Sequence, residues 1–161
     1  HGMAQRGGSV QCSVRMGREI LSPLIPMGAA DLLLGFEPVE TCRSLSMVNK
    51  DSHIVTNTTP VVPISVSAGQ DKYPPVDEVL SAIRDANPNL IALDATALAI
   101  RAGKAIAANS VLIGAISAVK GFPMSKDRML ESLLEVVPAK ARDINVRAFE
   151  LGYQEAKGES L

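Results

Sequence analysis

The chain has 161 residues, with 16 Lys+Arg against 17 Asp+Glu and a formal net charge of −1. That balance, with a pI of about 6.2, leaves no electrostatic footprint for nucleic acid or an anionic membrane. Three Phe, two Tyr and no Trp argue against base-stacking platforms and aromatic carbohydrate clefts.

A hydrophobic share of 47% supports a sizeable core and one domain over residues 1–161 rather than disorder. Cys12 and Cys42 lie far apart with no C-x-x-C, and there are only two His. This is neither a disulfide framework nor a metal or iron–sulfur ligand set, and a reduced, cytoplasmic setting is expected. The longest apolar stretch, Ala105 to Val119, is interrupted by Asn109 and two serines and falls short of the roughly 20 residues of a spanning helix. The first residues have no apolar core of a signal peptide.

Ser9 to Met16 alternates, with Val10, Cys12, Val14 and Met16 on one side, the pattern of a half-buried strand in which Cys12 fills core. After a turn at Gly17-Arg18-Glu19, Ile20-Leu21 is expected to return as a short antiparallel strand, and Ser22 to Pro26 is irregular. Asp31 to Phe36 is a short continuous apolar run, as in a strand buried on both faces. Pro38 suits the first turn of a helix to about Val48. Asn49-Lys50-Asp51 reads as a turn, and Ser52 to Thr56 as a strand that ends in Asn57-Thr58-Thr59-Pro60.

Val61 to Ala68 is β-rich but contains Pro63, so an edge strand or extended segment is expected. Tyr73-Pro74-Pro75 is a rigid linker. Val76 to Ala86 is an amphipathic helix, Asn89 to Leu93 a third buried strand, and Ala97 to Ala102 a helix after Asp94-Ala95-Thr96. Ala107 to Lys120 is a helix of small residues, in which Ala107, Ser110, Gly114 and Ala118 allow close approach, on the sheet or at a subunit interface. Ser125 caps a helix over Lys126 to Val136, and Pro138 opens a last helix to about Lys157 with Ile144, Ala148 and Leu151 on one face.

Short apolar strands alternating with helices indicate βαβ crossovers. The expected architecture is a three-layer α/β/α sandwich with a mostly parallel, Rossmann-like sheet. Ligands in such sheets sit outside the carboxyl ends of the strands, where Glu37, Asn57-Thr58-Thr59, Asp94 and Thr96 converge. Each of these residues also suits a purely structural role, capping the next helix or bonding a loop amide. Gln5-Arg6-Gly7-Gly8-Ser9 offers a guanidinium fork beside exposed amides, suited to a carboxylate or phosphate, or else a flexible lead-in. Asn109 needs a partner if buried. His53 reads as structural or exposed, Cys42 as core with a reactive thiol as the lesser alternative, and no nucleophile elbow is present.

In this order, His1-Gly2-Met3-Ala4-Gln5-Arg6-Gly7-Gly8-Ser9-Val10, Ser22 to Pro26, Ala30 to Pro38, Asn57-Thr58-Thr59-Pro60, Ser65 to Gly69, Ala92 to Thr96 and Asn145 to Gly152 resemble the small (beta) subunit of indolepyruvate:ferredoxin oxidoreductase. That subunit is a γ-type domain of the pyruvate/2-oxoacid:ferredoxin oxidoreductase family. The resemblance spans nearly the whole chain. It implies a subunit that is inactive alone. Its partner would be a large alpha subunit carrying thiamine diphosphate and iron–sulfur clusters. The complex would decarboxylate a 2-oxoacid to an acyl-CoA, with CoA as co-substrate and ferredoxin as electron acceptor.

The resemblance also implies that an N-terminal strand–turn–helix of the family pattern is missing from this sequence, and Ser13 stands where relatives often have His. Gln5, Arg6, Gly7, Gly8, Asn57, Thr58 and Asp94 are carried over as motif positions. With Ser9, Glu37 and Asn109 they are candidates for contact with the large subunit, CoA or thiamine; none is expected to be catalytic or a metal ligand. Two other readings stand beside this one: a nucleotide- or CoA-binding regulatory or scaffolding module, and a structural partner that self-associates through the Ala107 to Ala118 helix, with a homodimer in isolation.

Overall fold

The computed structural model describes residues 9–69 and 71–159. Three strands, β1 (Ala30–Gly35), β2 (Val48–Asn57) and β3 (Leu90–Leu93), form a parallel sheet in the order β1-β2-β3. The pleat sends successive side chains to opposite faces, and both faces are covered. Ile54, with Leu33 and Leu90, packs beneath α1 (Pro38–Arg43) and α3 (Val76–Ala86) through Val39, Cys42, Val79 and Ile83. Val55, with Ile91 and Leu93, packs under the other layer, built from α4 (Ala95–Ala102), α5 (Ala108–Ser117) and α7 (Arg142–Glu159). The expected α/β/α arrangement is therefore present, and the apolar runs of β1 and β3 follow from burial on two sides.

The crossovers are β1-α1-β2 and β2-α3-β3. Helix α1 ends earlier than its pattern suggests. The Ser44 hydroxyl donates to the Glu40 carbonyl at 2.9 Å, and a short 3₁₀ turn over Leu45–Met47 leads into β2. The expected turn at Asn49-Lys50-Asp51 survives as an excursion inside β2. Ala30 faces Val48 but Leu32 faces His53, so three extra residues enter β2 there. Asn49 N–H donates to the Ser52 hydroxyl at 2.8 Å and Asp51 N–H to Asn49 Oδ1 at 2.9 Å.

Asn87, only 1% exposed, closes this amino end of the strand pair. Its amide donates to the carbonyls of Asn49 (2.8 Å) and Ser52 (3.1 Å), and its Oδ1 accepts from Asn89 N–H at 2.8 Å.

Two extended predictions are corrected. Ser9 to Met16 runs exposed and outside any ladder, and Ile20-Leu21 does not return as a strand. Cys12 is exposed rather than core. A period of two makes a strand only where a neighbour completes the hydrogen bonds. Here the Arg15 guanidinium instead ties the arm to the carbonyls of Ser22 (2.8 Å) and Leu24 (3.2 Å). Likewise Val61 to Ala68 is not an extended strand. Residues 61–63 are exposed coil and Ile64–Ser67 is one helical turn, α2, whose amides at Val66 and Ser67 donate to the Pro63 carbonyl. Proline at its head supplies no ladder donor but suits the start of a helical turn.

The remaining helices follow their signals. The Ser125 hydroxyl accepts from Arg128 N–H to cap α6 (Lys126–Val136). The small-residue face of α5 meets α7 of the same chain. A Cβ on Gly114 would lie 2.0 Å from the Phe149 carbonyl oxygen, and one on Gly152 would lie 1.9 Å from that of Val111. The two backbones are in contact, and only glycine at each crossing permits it.

Candidate functional site

At the carboxyl end of the sheet the polar residues converge as the sequence suggests. Asn57, 5% exposed, ties three strand ends together. Its Oδ1 accepts from Ala95 N–H (3.0 Å) and Thr59 N–H (3.3 Å), and its Nδ2 donates to the Phe36 carbonyl (3.3 Å) and Thr96 Oγ1 (3.4 Å). Thr58 N–H donates to the Leu93 carbonyl at 3.0 Å. Asp94 caps α4, accepting from Ala97 N–H at 2.8 Å, and the same oxygen accepts from the Thr59 hydroxyl at 2.8 Å. Beneath them the Thr41 and Thr56 hydroxyls bond at 2.7 Å. A Cβ on Gly35 would meet Thr41 Oγ1 at 1.7 Å, so glycine is what allows α1 to sit this close to β1.

Glu37 belongs to a different arrangement. It is 7% exposed, caps α1 by accepting from Glu40 N–H, and its Oε2 accepts from the Tyr73 hydroxyl at 2.6 Å. Burial first, and the bond to Glu37 second, raise the Tyr73 phenol above its ordinary value of 10.0, so it is a neutral donor at physiological pH. Glu37 and Tyr73 open into a cleft of about 260 Å³ between α1, the segment 61–66 and residues 71–74. Val39, Val61, Val62 and Pro74 form its apolar walls, with Arg43 and Lys72 among the charged residues that line it. Arg43 is held on Glu40 at 2.5 Å. Ser9 also lines the cleft and donates to Glu40.

Of the sequence-derived candidates, Ser9 and Glu37 meet in this cleft, while Asn57, Thr58 and Asp94 form the hydrogen-bonded lattice of the strand ends. Gln5, Arg6, Gly7 and Gly8 lie outside the described residues. Asn109 is exposed in the first turn of α5 and takes no part in the bonds that join Asn57, Thr59 and Asp94. Tyr73 carries no local signal of this role. A tyrosine before two prolines reads as linker, and only the tertiary fold brings it to a carboxylate 36 residues away.

Among the described residues no buried side-chain polar atom is left without a partner, which is the chemistry of a scaffold rather than of a nucleophile awaiting a base. The chain's two cysteines cannot supply the four thiolates of a cubane cluster; Cys12 is on the exposed arm and Cys42, on α1, packs against the cluster of Ile54, Val79 and Ile83. Among the described residues no group of three or more His, Cys, Asp or Glu is placed to hold a metal ion, and no helix is long and apolar enough to cross a membrane.

The family model described as pyruvate ferredoxin/flavodoxin oxidoreductase matches residues 1–155. The chain belongs to this family. It is 42% identical over 158 residues to a Thermococcus kodakarensis protein named indolepyruvate oxidoreductase subunit IorB, covering 98% of this chain and 78% of the relative. Subunits of the same name from Archaeoglobus fulgidus and Methanothermobacter thermautotrophicus are 38% and 37% identical, over 97% and 95% of this chain and 77% and 78% of theirs. The resemblance drawn from the ordered motifs is thus borne out for family and subunit type. Among solved structures, the gamma subunit of a keto/oxoacid ferredoxin oxidoreductase from Geobacter sulfurreducens superposes with a TM-score of 0.56 at 24% identity. It covers 80% of this chain, which spans 64% of that subunit, and shares the α/β fold.

Proposed function

We propose that this chain is the cluster-free subunit of a cytoplasmic 2-oxoacid:ferredoxin oxidoreductase acting on indolepyruvate or a related aryl 2-oxoacid. The observation that carries this reading is the 42% identity over 98% of the chain to a protein named as an indolepyruvate oxidoreductase subunit. The partner large subunit supplies thiamine diphosphate and iron–sulfur clusters. The cofactor chemistry there is decarboxylation of the oxoacid, acyl transfer to CoA, and delivery of two electrons to ferredoxin.

This chain contributes shape. The lattice around Asn57, Thr58 and Asp94 fixes the strand ends, and Glu37 and Ser9 present a cleft beside them. Gln5, Arg6, Gly7, Gly8 and Asn109 are the remaining candidates for contact with the large subunit, CoA or thiamine. The internally satisfied polar groups and the shortage of thiols support a subunit without redox chemistry of its own.

Co-expression with the large subunit tests this. Reduction of a viologen dye should require both chains, an aryl-pyruvate and CoA together. Dye reduction by this chain alone, or by the large subunit at full rate without it, would overturn the reading.

A further inference from the structure

Glu37 is the one charged side chain that is buried among the described residues. Among the described residues both of its partners are neutral: the Glu40 amide and the Tyr73 hydroxyl. No Lys, Arg or His of the described residues forms a salt bridge with it. Of the two cations in its cleft, Arg43 is engaged with Glu40, and Lys72 lines the wall without pairing to Glu37.

Withdrawing a carboxylate from water without a counter-charge is costly, and a carboxylate offers about four acceptor positions, of which the described residues use two. The remaining positions, one on each oxygen, suit a planar two-pronged donor. Val39, Val61, Val62, Val66 and Pro74 give the same cleft aliphatic wall, and Val61 and Val62 stand 65% and 46% exposed. A long methylene stem would cover them.

We propose that this cleft receives an arginine side chain of the partner large subunit, with its guanidinium forked onto Glu37 and its stem lying along Val61 and Val62. The docking rests on the subunit reading above and adds to it the place and chemistry of one anchor. Arginine fits better than lysine because the two free acceptor positions lie on different oxygens of one carboxylate and guanidinium is less strongly hydrated. An anionic ligand is disfavoured, because the cleft's buried charge is itself negative.

The test measures assembly of the two-subunit complex by titration calorimetry at two salt concentrations. Glu37→Gln should raise Kd by roughly 10- to 100-fold and flatten its salt dependence. Tyr73→Phe keeps the charge and should shift Kd by at most about threefold. Millimolar n-butylguanidinium should weaken wild-type assembly more than n-butylammonium at equal ionic strength, a readout that needs no variant to fold.

Assembly of wild type with no change in Glu37→Gln overturns the anchor and leaves the subunit reading standing. Equal weakening by Glu37→Gln and Tyr73→Phe also overturns it, by showing that a local hydrogen bond and not the charge matters. So does a non-additive cycle between Glu37→Gln and Arg6→Ala, which would place the cation in this chain. Failure of wild type to assemble overturns the subunit reading and the anchor together.

Discussion

At the amino end of the strand pair, Asn87 gathers the carbonyls of Asn49 and Ser52 and the Asn89 amide. At the carboxyl end, Asn57 gathers the Phe36 carbonyl and the amides of Thr59 and Ala95. Both are buried amides that satisfy backbone groups where strands stop and loops begin, as buried polar groups must be satisfied. Their surroundings differ. Around Asn87 the polar groups pair within the chain. Near Asn57 lies a buried carboxylate whose partners among the described residues are neutral, in a cleft with both aliphatic and charged walls. The same device thus closes one end of the sheet and leaves the other prepared for contact, in keeping with ligand and partner sites at the carboxyl ends of parallel strands.

Removing each amide in turn separates the two ends of the sheet most strongly. Asn87→Ala and Asn57→Ala should each lower unfolding stability by about 2–4 kcal/mol, since each strands buried backbone groups; urea unfolding reads this. Only Asn57→Ala should also weaken assembly of the folded protein with the large subunit. Equal effects of both on assembly would erase the distinction between the ends.

A smaller loss, about 0.5–1.5 kcal/mol, is expected for Thr59→Val, which removes one bond to Asp94 while Ala97 N–H still holds the cap. The Tyr73 phenol is raised in the folded state, so the stability it contributes is full below pH 10 and is lost as pH rises beyond it. Tyr73→Phe should therefore flatten the alkaline limb of thermal stability above pH 10. The smallest effect lies away from both ends. Its hydrogen bond with Lys126, and then that with Gln154, lower the Glu150 carboxyl below its ordinary 4.5. Its contribution is present above that value and lost as pH falls below it, and Lys126→Met should blunt that acid limb slightly.

Much of the fold can be read from residue order. The apolar runs at β1 and β3, the amphipathic pattern of α3 and the Ser125 cap are local signals, and each appears where its pattern lies. The arm at Ser9 to Met16 shows the limit of that reading: alternation prescribes which side is apolar but cannot supply the neighbouring strand. Pro63 shows another, because one proline fits both an edge strand and the head of a helical turn. In the candidate site, Asn57, Thr58 and Asp94 were legible because they directly follow apolar strands. Glu37 was legible as a cap but not as a buried carboxylate, because its second partner, Tyr73, reaches it only through the fold. Asn87 follows a helix end, and no local signal marks its partners, the carbonyls of Asn49 and Ser52, which are 38 and 35 residues away.

The seam between α5 and α7 bears on temperature. Where Gly114 and Gly152 cross, the contact is backbone against carbonyl, made by close packing and Cα–H···O approach rather than by removing large side chains from water. Apolar exposure is what gives unfolding its large heat capacity and makes hydrophobic stabilisation fade on cooling. A glycine seam contributes little to that heat capacity. The helices behind the sheet are thus held in part by a term that keeps its strength in the cold, where the valine- and leucine-lined layers around them weaken.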